Sequence, residues 1–130
     1  MPRELGKNSI LTPAQIARPR TILDVFPNPR PGRPYEIRFV FPEFTSLCPV
    51  TGQPDFATIT VTYIPRRLCV EMKSLKLYFF AYRNKGIFYE AVVNTILDDL
   101  AAVLKPRELT VVGDFAVRGG TAATITAKFP

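Results

Sequence analysis

Apolar and polar residues alternate along two stretches of the chain, residues 35–41 and residues 57–63. In the second stretch threonines separate the apolar positions, and β-branched residues of this kind favour strands. A period of two is typical of a strand with one buried face, so both stretches are predicted to be strands. The residues between them, 42–55, are predicted to be a loop because they include Pro42, Pro49, Gly52 and Pro54.

The second half of the chain has a helical period. From Phe88 to Leu104, apolar residues recur every three or four positions and polar residues take the other side. This pattern predicts an amphipathic helix, which Pro106 ends. The apolar run before it, residues 75–82, is interrupted by Lys76. Its periodicity fits either a helix or a strand, and we take it as a helix.

Two more strands are predicted at the end of the chain. Residues 109–115 and residues 121–129 are rich in apolar and β-branched residues, and the turn residues 118–120 separate them. The predicted order is ββααββ. It is typical of an α+β fold, with two helices on one face of a four-stranded antiparallel sheet. The last strand is long and apolar and would form an edge, so we expect a homo-oligomer.

Proline and charge divide the chain into two parts. Seven of the 13 prolines lie within residues 1–34, with six basic residues and two acidic ones, so that segment carries 6 − 2 = +4 of the formal charge of +6. We therefore predict a basic Pro-rich arm over residues 1–33 and one catalytic domain over residues 34–130. Proline should keep the arm out of regular helix and central strand. The arm could contact RNA or an acidic partner, or lie as a solvated leader along its own domain.

Composition excludes several classes of site. The 130 residues are enough for one domain with its own core. There is no histidine, which excludes Ser-His and Cys-His nucleophile pairs and zinc sites with imidazole ligands. The two cysteines are too few for a disulfide scaffold or a four-thiolate zinc site, so we expect no metal. We see no signal peptide and no apolar run of about 18 residues, and expect a soluble cytoplasmic protein.

A cysteine and an aspartate lie in the predicted loop between the first two strands. Cys48 precedes Asp55, which stands just before the second strand. Only a thiolate attacks well, and without imidazole Asp55 is the nearby acid that could accept the thiol proton. This pair suits addition of sulfur to an electrophile that also needs a proton. The pair also fits a buried structural cysteine and a turn-capping aspartate. Cys69 is predicted to belong to the core.

Two further groups of charged residues have two interpretations each. Lys73, Lys76 and Arg83 would share one face of a helix, since each residue advances about 100°. They could bind phosphates or form an ordinary solvated face. No G-x-G-x-x-G segment is present, so side chains would have to hold a dinucleotide. Glu90 could accept paired N–H groups of a guanine-like ring, or stabilise the start of its helix.

Together these segments resemble the family of NADPH-dependent 7-cyano-7-deazaguanine reductases, the nitrile reductases of queuosine biosynthesis. The resemblance covers roughly residues 34–120 and rests on Phe44–Pro49, Thr51–Phe56, Glu71–Tyr78 with Arg83 and Asn84, Glu90, and Arg118–Gly120. It implies the short, single-module form of the tunnelling fold. In that fold the antiparallel sheets of several subunits close into a barrel, and active sites form between subunits.

The resemblance also implies an activity and the residues that perform it. The activity is reduction of the nitrile of 7-cyano-7-deazaguanine to 7-aminomethyl-7-deazaguanine, with two NADPH consumed and no nucleic acid required. Cys48 would form a covalent thioimide with the nitrile carbon, and Asp55 would donate a proton. The implied substrate-binding residues are Val70, Glu71, Met72, Tyr89 and Glu90. The implied NADPH-binding residues are Lys73, Ser74, Lys76 and Arg83, to which we add Arg118 as a cation for the 2′-phosphate.

Two positions depart from the family pattern. Position 72 is Met, where the family often has Ser or Leu, and position 89 is Tyr, where many members have His. Tyr89 can donate a hydrogen bond but cannot carry protons near neutral pH.

The alternatives are a related thioimide-forming enzyme that makes an amidine on tRNA, and a non-catalytic RNA- or pterin-binding module. GTP cyclohydrolase I shares the fold, but its zinc site needs histidine.

Overall fold

Four long antiparallel strands form the main sheet of the computed structural model, which describes residues 10–130. These strands are β2 (Ile37–Leu47), β3 (Pro54–Ile64), β5 (Glu108–Arg118) and β6 (Thr121–Phe129), in the spatial order β2-β3-β5-β6. Two short antiparallel strands, β1 (Val25–Pro27) and β4 (Leu68–Val70), form a second sheet. The prediction for arm residues 1–9 lies outside the described residues.

Helices occupy the start of the chain and the connection between the two halves of the main sheet. They are α1 (Pro13–Ala17), a 3₁₀ turn (Pro19–Ile22), α2 (Met72–Phe80) and α3 (Tyr89–Leu104). The fold is therefore α+β, with antiparallel sheets and few helices, as the hydrophobic pattern predicts. The elements α1, β1, β4 and the 3₁₀ turn were not predicted. They are too short to produce a recognisable period in the sequence.

Local chemistry explains where the two long helices begin and end. The Glu71 carboxylate caps α2, because its oxygens accept from the backbone N–H of Lys73 (2.8 Å) and of Ser74 (2.9 Å). Helix α3 ends at Leu104. The next residue, Lys105, has a left-handed φ of 47° and is followed by proline. α3 lies close to β5 at Gly113, where a Cβ would be only 2.7 Å from a methyl of Val93.

The core lies between the main sheet and the helices. Along β3, the side chains of Ile59, Val61 and Tyr63 are at most 1% exposed, while the intervening threonines are half-buried on the other face. Phe41 stacks on Phe79 of α2 with ring centroids 4.8 Å apart. The period of two in the sequence thus arises because only one face of the strand is buried in the core.

Part of the predicted arm belongs to this core. Ile22 and Leu23 are 0% and 5% exposed, and β1 pairs with β4. The expectation that proline excludes helix from this segment was wrong, because Pro13 and Pro19 occupy the starts of α1 and the 3₁₀ turn. At the first helical position no N–H donor is needed and the fixed φ of proline is helical.

The predicted loop over residues 42–55 was also wrong in its bounds. β2 continues to Leu47 and β3 begins at Pro54, so the true turn covers residues 48–53. The strand tolerates Pro42 because the register shifts between Phe41 and Phe44, at an irregularity near the edge of the sheet. Pairing of residues 44–47 with residues 54–57 extends both strands toward the turn.

Candidate active site

A tight turn at the end of β2 presents Cys48. The backbone N–H of Gly52 donates to the carbonyl of Cys48 over 2.8 Å, and the N–H of Cys48 donates to the carbonyl of Gln53 over 2.8 Å. Gly52 has a φ of +73°, which side chains disfavour, so glycine suits this position. The turn therefore holds the cysteine on a defined backbone rather than on a long loop.

Backbone hydrogen bonds join this turn to the segment that leads into α3. The N–H of Leu47 donates to Lys85 O over 3.0 Å, and the N–H of Ile87 donates to Leu47 O over 3.1 Å. Leu47 and Gly86 form an isolated parallel bridge. As a result Cys48 lies beside the first turn of α3, which carries Tyr89 and Glu90.

The surroundings of Cys48 favour its thiolate. The Thr51 hydroxyl and the backbone N–H groups of Thr51 and Val50 hydrogen-bond to the sulfur, and Arg118 is close enough to add a positive charge. Together these groups lower the pKa of the Cys48 thiol, against the opposing effect of burial. The thiol is half-buried, so a ligand can reach it. Activation thus comes from hydrogen bonds and one arginine instead of an imidazole.

Asp55 is the buried carboxylate of the site. It is 5% exposed, and its Oδ1 accepts from the Tyr89 hydroxyl over 3.1 Å and contacts the Arg118 guanidinium. The Tyr89 ring stacks on Phe115, with centroids 3.9 Å apart and planes 13° apart. Burial, followed by the carboxylate of Asp55, raises the pKa of Tyr89, so its hydroxyl stays protonated as a donor.

These residues line two adjoining cavities. The smaller has a volume of about 140 Å³, and its wall includes the predicted site residues Cys48, Asp55, Tyr89, Glu90 and Arg118. The second has a volume of about 400 Å³ and shares Asp55, Tyr89 and Arg118 with the first. The structure therefore brings together both predicted reacting residues, two predicted substrate contacts and one predicted cofactor contact.

Two other predicted site residues are buried, and a third, Glu71, is half-buried. Val70 is 2% exposed, and its N–H donates to the Tyr63 hydroxyl over 3.0 Å. The Glu71 carboxylate caps α2 through both of its oxygens. Ser74 is 0% exposed, and its hydroxyl bonds the N–H of Asp24 (2.9 Å) and the carbonyl of Glu71 (2.8 Å). These contacts of the Ser74 hydroxyl hold the start of α2.

The remaining predicted residues lie on and after α2, outside both cavities. Met72 is 52% exposed, and Lys76 and Arg83 are also exposed. Lys73 is half-buried. Met72 and Lys76 instead line a small apolar cavity of about 60 Å³ against β2. Within a single chain, therefore, Lys73, Lys76 and Arg83 do not line the cavity that contains Cys48.

Three polar residues of the site were not predicted from the sequence. Thr51 bonds the sulfur, the Gln53 side-chain oxygen contacts Arg118, and the buried Ser46 lies opposite Asp55 in the β2–β3 register. Thr51 and Gln53 lie between Cys48 and Asp55 in the sequence, and Ser46 lies just before Cys48. This proximity could have indicated that they belong to the site. The prediction that Cys69 belongs to the core is confirmed, since it is 2% exposed.

Two other kinds of feature are absent from residues 10–130. No group of three or more His, Cys, Asp or Glu side chains is close enough to hold a metal ion. No helix in this part of the chain has the length and apolar character required to cross a membrane.

The fold and the Cys48 cavity define an α+β protein in which a cysteine lies beside a buried carboxylate. A family model described as QueF-like protein matches residues 54–129. A protein of Anaeromyxobacter sp. (strain K) is 60% identical over 111 residues, which cover 85% of this chain and 91% of that protein. A protein of Chlorobium phaeobacteroides is 56% identical over 85% of this chain and 96% of its own length. Both are named NADPH-dependent 7-cyano-7-deazaguanine reductase.

The chain belongs to the family of NADPH-dependent 7-cyano-7-deazaguanine reductases. A solved structure, the crystal structure of the archaeosine synthase QueF-Like in the apo form, has a TM-score of 0.69 to it. That likeness covers 74% of this chain and 94% of the other, at 23% sequence identity. At this identity it shows the fold alone, an α+β arrangement with antiparallel sheets and few helices.

Proposed function

We propose that this protein reduces the nitrile of 7-cyano-7-deazaguanine to the aminomethyl group with two NADPH, in the cytoplasm. One observation carries the proposal: a thiol with a lowered pKa shares a cavity with a buried carboxylate. A nitrile is a poor hydride acceptor, and addition of sulfur converts it to a C=N group that accepts hydride more readily. The names of the relatives support the same reaction.

The first step on this chain is addition of Cys48 to the nitrile carbon. The S–H bond and one C≡N π bond break, and S–C and N–H bonds form. Asp55 accepts the thiol proton and delivers it to the nitrile nitrogen, which leaves a neutral thioimide. Tyr89, bonded to Asp55 over 3.1 Å and stacked on Phe115, keeps the carboxyl in place.

Other residues of the cavity suit the heterocycle and the cofactor. Glu90 lines the cavity with Cys48 and can accept paired N–H groups from the pyrimidine edge of the base. Each of the two NADPH molecules would supply one hydride when it is bound. Arg118, whose side chain is 34% exposed at the junction of the two cavities, suits a phosphate of that cofactor. Water must be kept out, because an imine would hydrolyse to an aldehyde.

A second copy of the chain would complete the site. Lys76 and Arg83 are exposed but lie outside the Cys48 cavity, so in a homo-oligomeric barrel they would serve the cavity of a neighbouring subunit. Large apolar side chains exposed near α2 support such an interface, among them Val40 (58%), Met72 (52%) and Phe80 (48%). Residues 34–130 would then form the catalytic domain and residues 1–33 an arm partly folded into it.

Mass spectrometry and absorbance test this function directly. Wild-type protein incubated with the nitrile base alone should gain the mass of one base per chain, and Cys48→Ala should gain none. With NADPH added, wild type should oxidise two NADPH per nitrile. Cys69→Ala is the matched control and should keep both properties. An unmodified wild-type mass at saturating nitrile, or amidine formation from ammonia without NADPH oxidation, would contradict the proposal.

A further inference from the structure

The hydroxyl of Ser46 is buried beside the candidate active site. The residue is 0% exposed in β2, and its Oγ has no hydrogen-bond partner in the part of the chain that the structure describes. Ser74, a second fully buried serine, differs because its hydroxyl bonds Asp24 and Glu71. An unpaired buried hydroxyl lowers stability, and alanine would fill nearly the same space without one. Packing among the described residues therefore favours alanine over serine at position 46.

The strand register places this hydroxyl next to Asp55. Ser46 and Asp55 are directly paired between β2 and β3, and both side chains are buried. Residues paired in this way project from the same face of the sheet, with Cβ atoms about 4.5–5.5 Å apart. Rotation of the serine about its Cα–Cβ bond can therefore bring Oγ within hydrogen-bonding distance of the carboxylate. Ser46 lines neither cavity, so it can act on a ligand only through another residue.

The carboxylate of Asp55 has one oxygen to offer to this hydroxyl. The hydrogen bonds that it accepts from side chains of residues 10–130, those of Tyr89 and Arg118, both end on Oδ1. Asp55 lies on the wall of both cavities, so its small exposed surface faces the space that a base would fill. A bound base excludes water from that surface, and a carboxylate oxygen shielded from water is costly unless it accepts a hydrogen bond.

We propose that Ser46 is a positioning residue for Asp55: its hydroxyl donates to Oδ2 once a base fills the Cys48 cavity, and it fixes the carboxyl for proton transfer. The inference rests on the proposed function, in which Asp55 carries the proton from the thiol to the nitrile nitrogen. A carboxylate has about four acceptor sites, so Oδ2 keeps one for that proton. The serine is thus retained for the reacting complex and not for the stability of the free protein.

The first test measures adduct formation and stability in Ser46→Ala. Reaction with the nitrile base in the absence of NADPH gives a maximal rate constant and a half-saturating concentration. The rate constant should fall about tenfold or more, as for loss of a hydrogen bond to a charged group, and the half-saturating concentration should stay nearly unchanged. Urea unfolding should show a stability equal to or above that of wild type. A wild-type rate constant, or a loss of stability, would overturn the proposal.

Two controls separate Asp55 from other targets of the substitution. Thr45→Val removes a hydroxyl from the neighbouring residue of β2, which projects from the opposite face, and should keep the wild-type rate constant. Alkylation of Cys48 by iodoacetamide needs the thiolate but no proton from Asp55. Ser46→Ala should therefore be alkylated at the wild-type rate. Slower alkylation would show that the substitution acts on the Cys48 turn, and the proposal would be wrong.

The second test is a crystal structure of the wild-type protein with the base bound covalently to Cys48. Ser46 Oγ should lie about 2.5–3.0 Å from Asp55 Oδ2, and a separation above about 3.5 Å would refute the pairing. The adduct itself would be present in that case, so the inference can fail while the proposed function stands. A wild-type protein that forms no adduct would contradict the proposed function and this inference with it.

Discussion

At the scale of single residues, the site activates a thiol without histidine. The largest contribution comes from the Thr51 hydroxyl, followed by two backbone N–H groups of the same turn, while Arg118 adds its charge. Backbone donors are available to any sequence that adopts this turn. The threonine hydroxyl and the arginine are the parts of the mechanism that side-chain substitutions can test.

Thr51→Val should raise the pKa of the Cys48 thiol, because it removes the hydroxyl that stabilises the thiolate. Since only the thiolate reacts, alkylation by iodoacetamide should become slower at pH 7 and recover at higher pH. The rate measured from pH 5 to 10 checks this. Thr126→Val, at an exposed position of β6, is the control and should keep the wild-type profile. An unshifted profile for Thr51→Val would show that the hydroxyl does not act on the sulfur.

Two fully buried serines should respond oppositely to alanine. Ser46 Oγ has no hydrogen-bond partner among the described residues, whereas the Ser74 hydroxyl has several. An unpaired buried polar group costs about 1–3 kcal/mol, so Ser46→Ala should keep or increase the free energy of unfolding. Ser74→Ala should lower it by about 1–3 kcal/mol, because it leaves the N–H of Asp24 without this acceptor. Urea unfolding measures both, and equal losses would contradict the contrast.

At the scale of elements, one buried carboxylate joins three of them. Asp99 on α3 accepts from the Tyr78 hydroxyl of α2 over 2.6 Å and from Arg20 of the 3₁₀ turn over 2.8 Å. Tyr78 also bonds the Tyr82 hydroxyl over 2.8 Å. Burial raises the pKa of Tyr78, so the phenol remains a donor. This network ties the 3₁₀ turn at Pro19–Ile22 to α2 and α3.

Asp99→Ala should lower the free energy of unfolding by about 2–3 kcal/mol, because the buried Tyr78 hydroxyl loses a charged acceptor. Asp98→Ala, its exposed neighbour on the same helix, should change it by less than about 0.5 kcal/mol. Urea unfolding followed by circular dichroism gives both values. If the two variants lost equal stability, the network would not be what secures the arm.

The hydrophobic period predicted the long elements well and their ends poorly. The helix predicted from Phe88 to Leu104 was observed over Tyr89–Leu104, since its apolar stripe and Pro106 are local signals. The strand end at Leu47 depends on pairing of Ser46 with Asp55 across a turn, and prolines nearby suggested a loop. β4 was not predicted because its three residues become a strand only by pairing with β1.

At the scale of the whole molecule, the separation of α2 from Cys48 predicts complementation between copies. Cys48→Ala lacks the nucleophile, and Lys76→Ala should weaken NADPH use by the neighbouring cavity. Co-expression of the two variants should restore part of the activity at subsaturating NADPH, because some cavities combine an intact Cys48 with an intact Lys76. Initial rates of NADPH oxidation measure this.

The double variant, Cys48→Ala with Lys76→Ala in one chain, is the control for this experiment. Co-expressed with wild type, it should lower the rate per wild-type chain at subsaturating NADPH, because some intact Cys48 cavities then adjoin a chain that lacks Lys76. Native mass spectrometry of the co-expressed oligomers verifies that the subunits mix. If subunits mix and the two single variants still show only the sum of their separate activities, each chain uses its own α2.

The sequence by itself determined the α+β class and the long elements, and it indicated Cys48 and Asp55 as the candidate reacting residues. Period-two and period-3.6 patterns are local. The absence of histidine excluded imidazole chemistry, and the resemblance to the reductase family then pointed to the thiol and the carboxylate. Only the tertiary structure decided that Tyr89 and Arg118 share Asp55, that Thr51 supports the thiolate, and that Ser74 is buried. These contacts join residues far apart in the chain or depend on the geometry of a turn. A periodic pattern of hydrophobic residues is local, so it predicts neither.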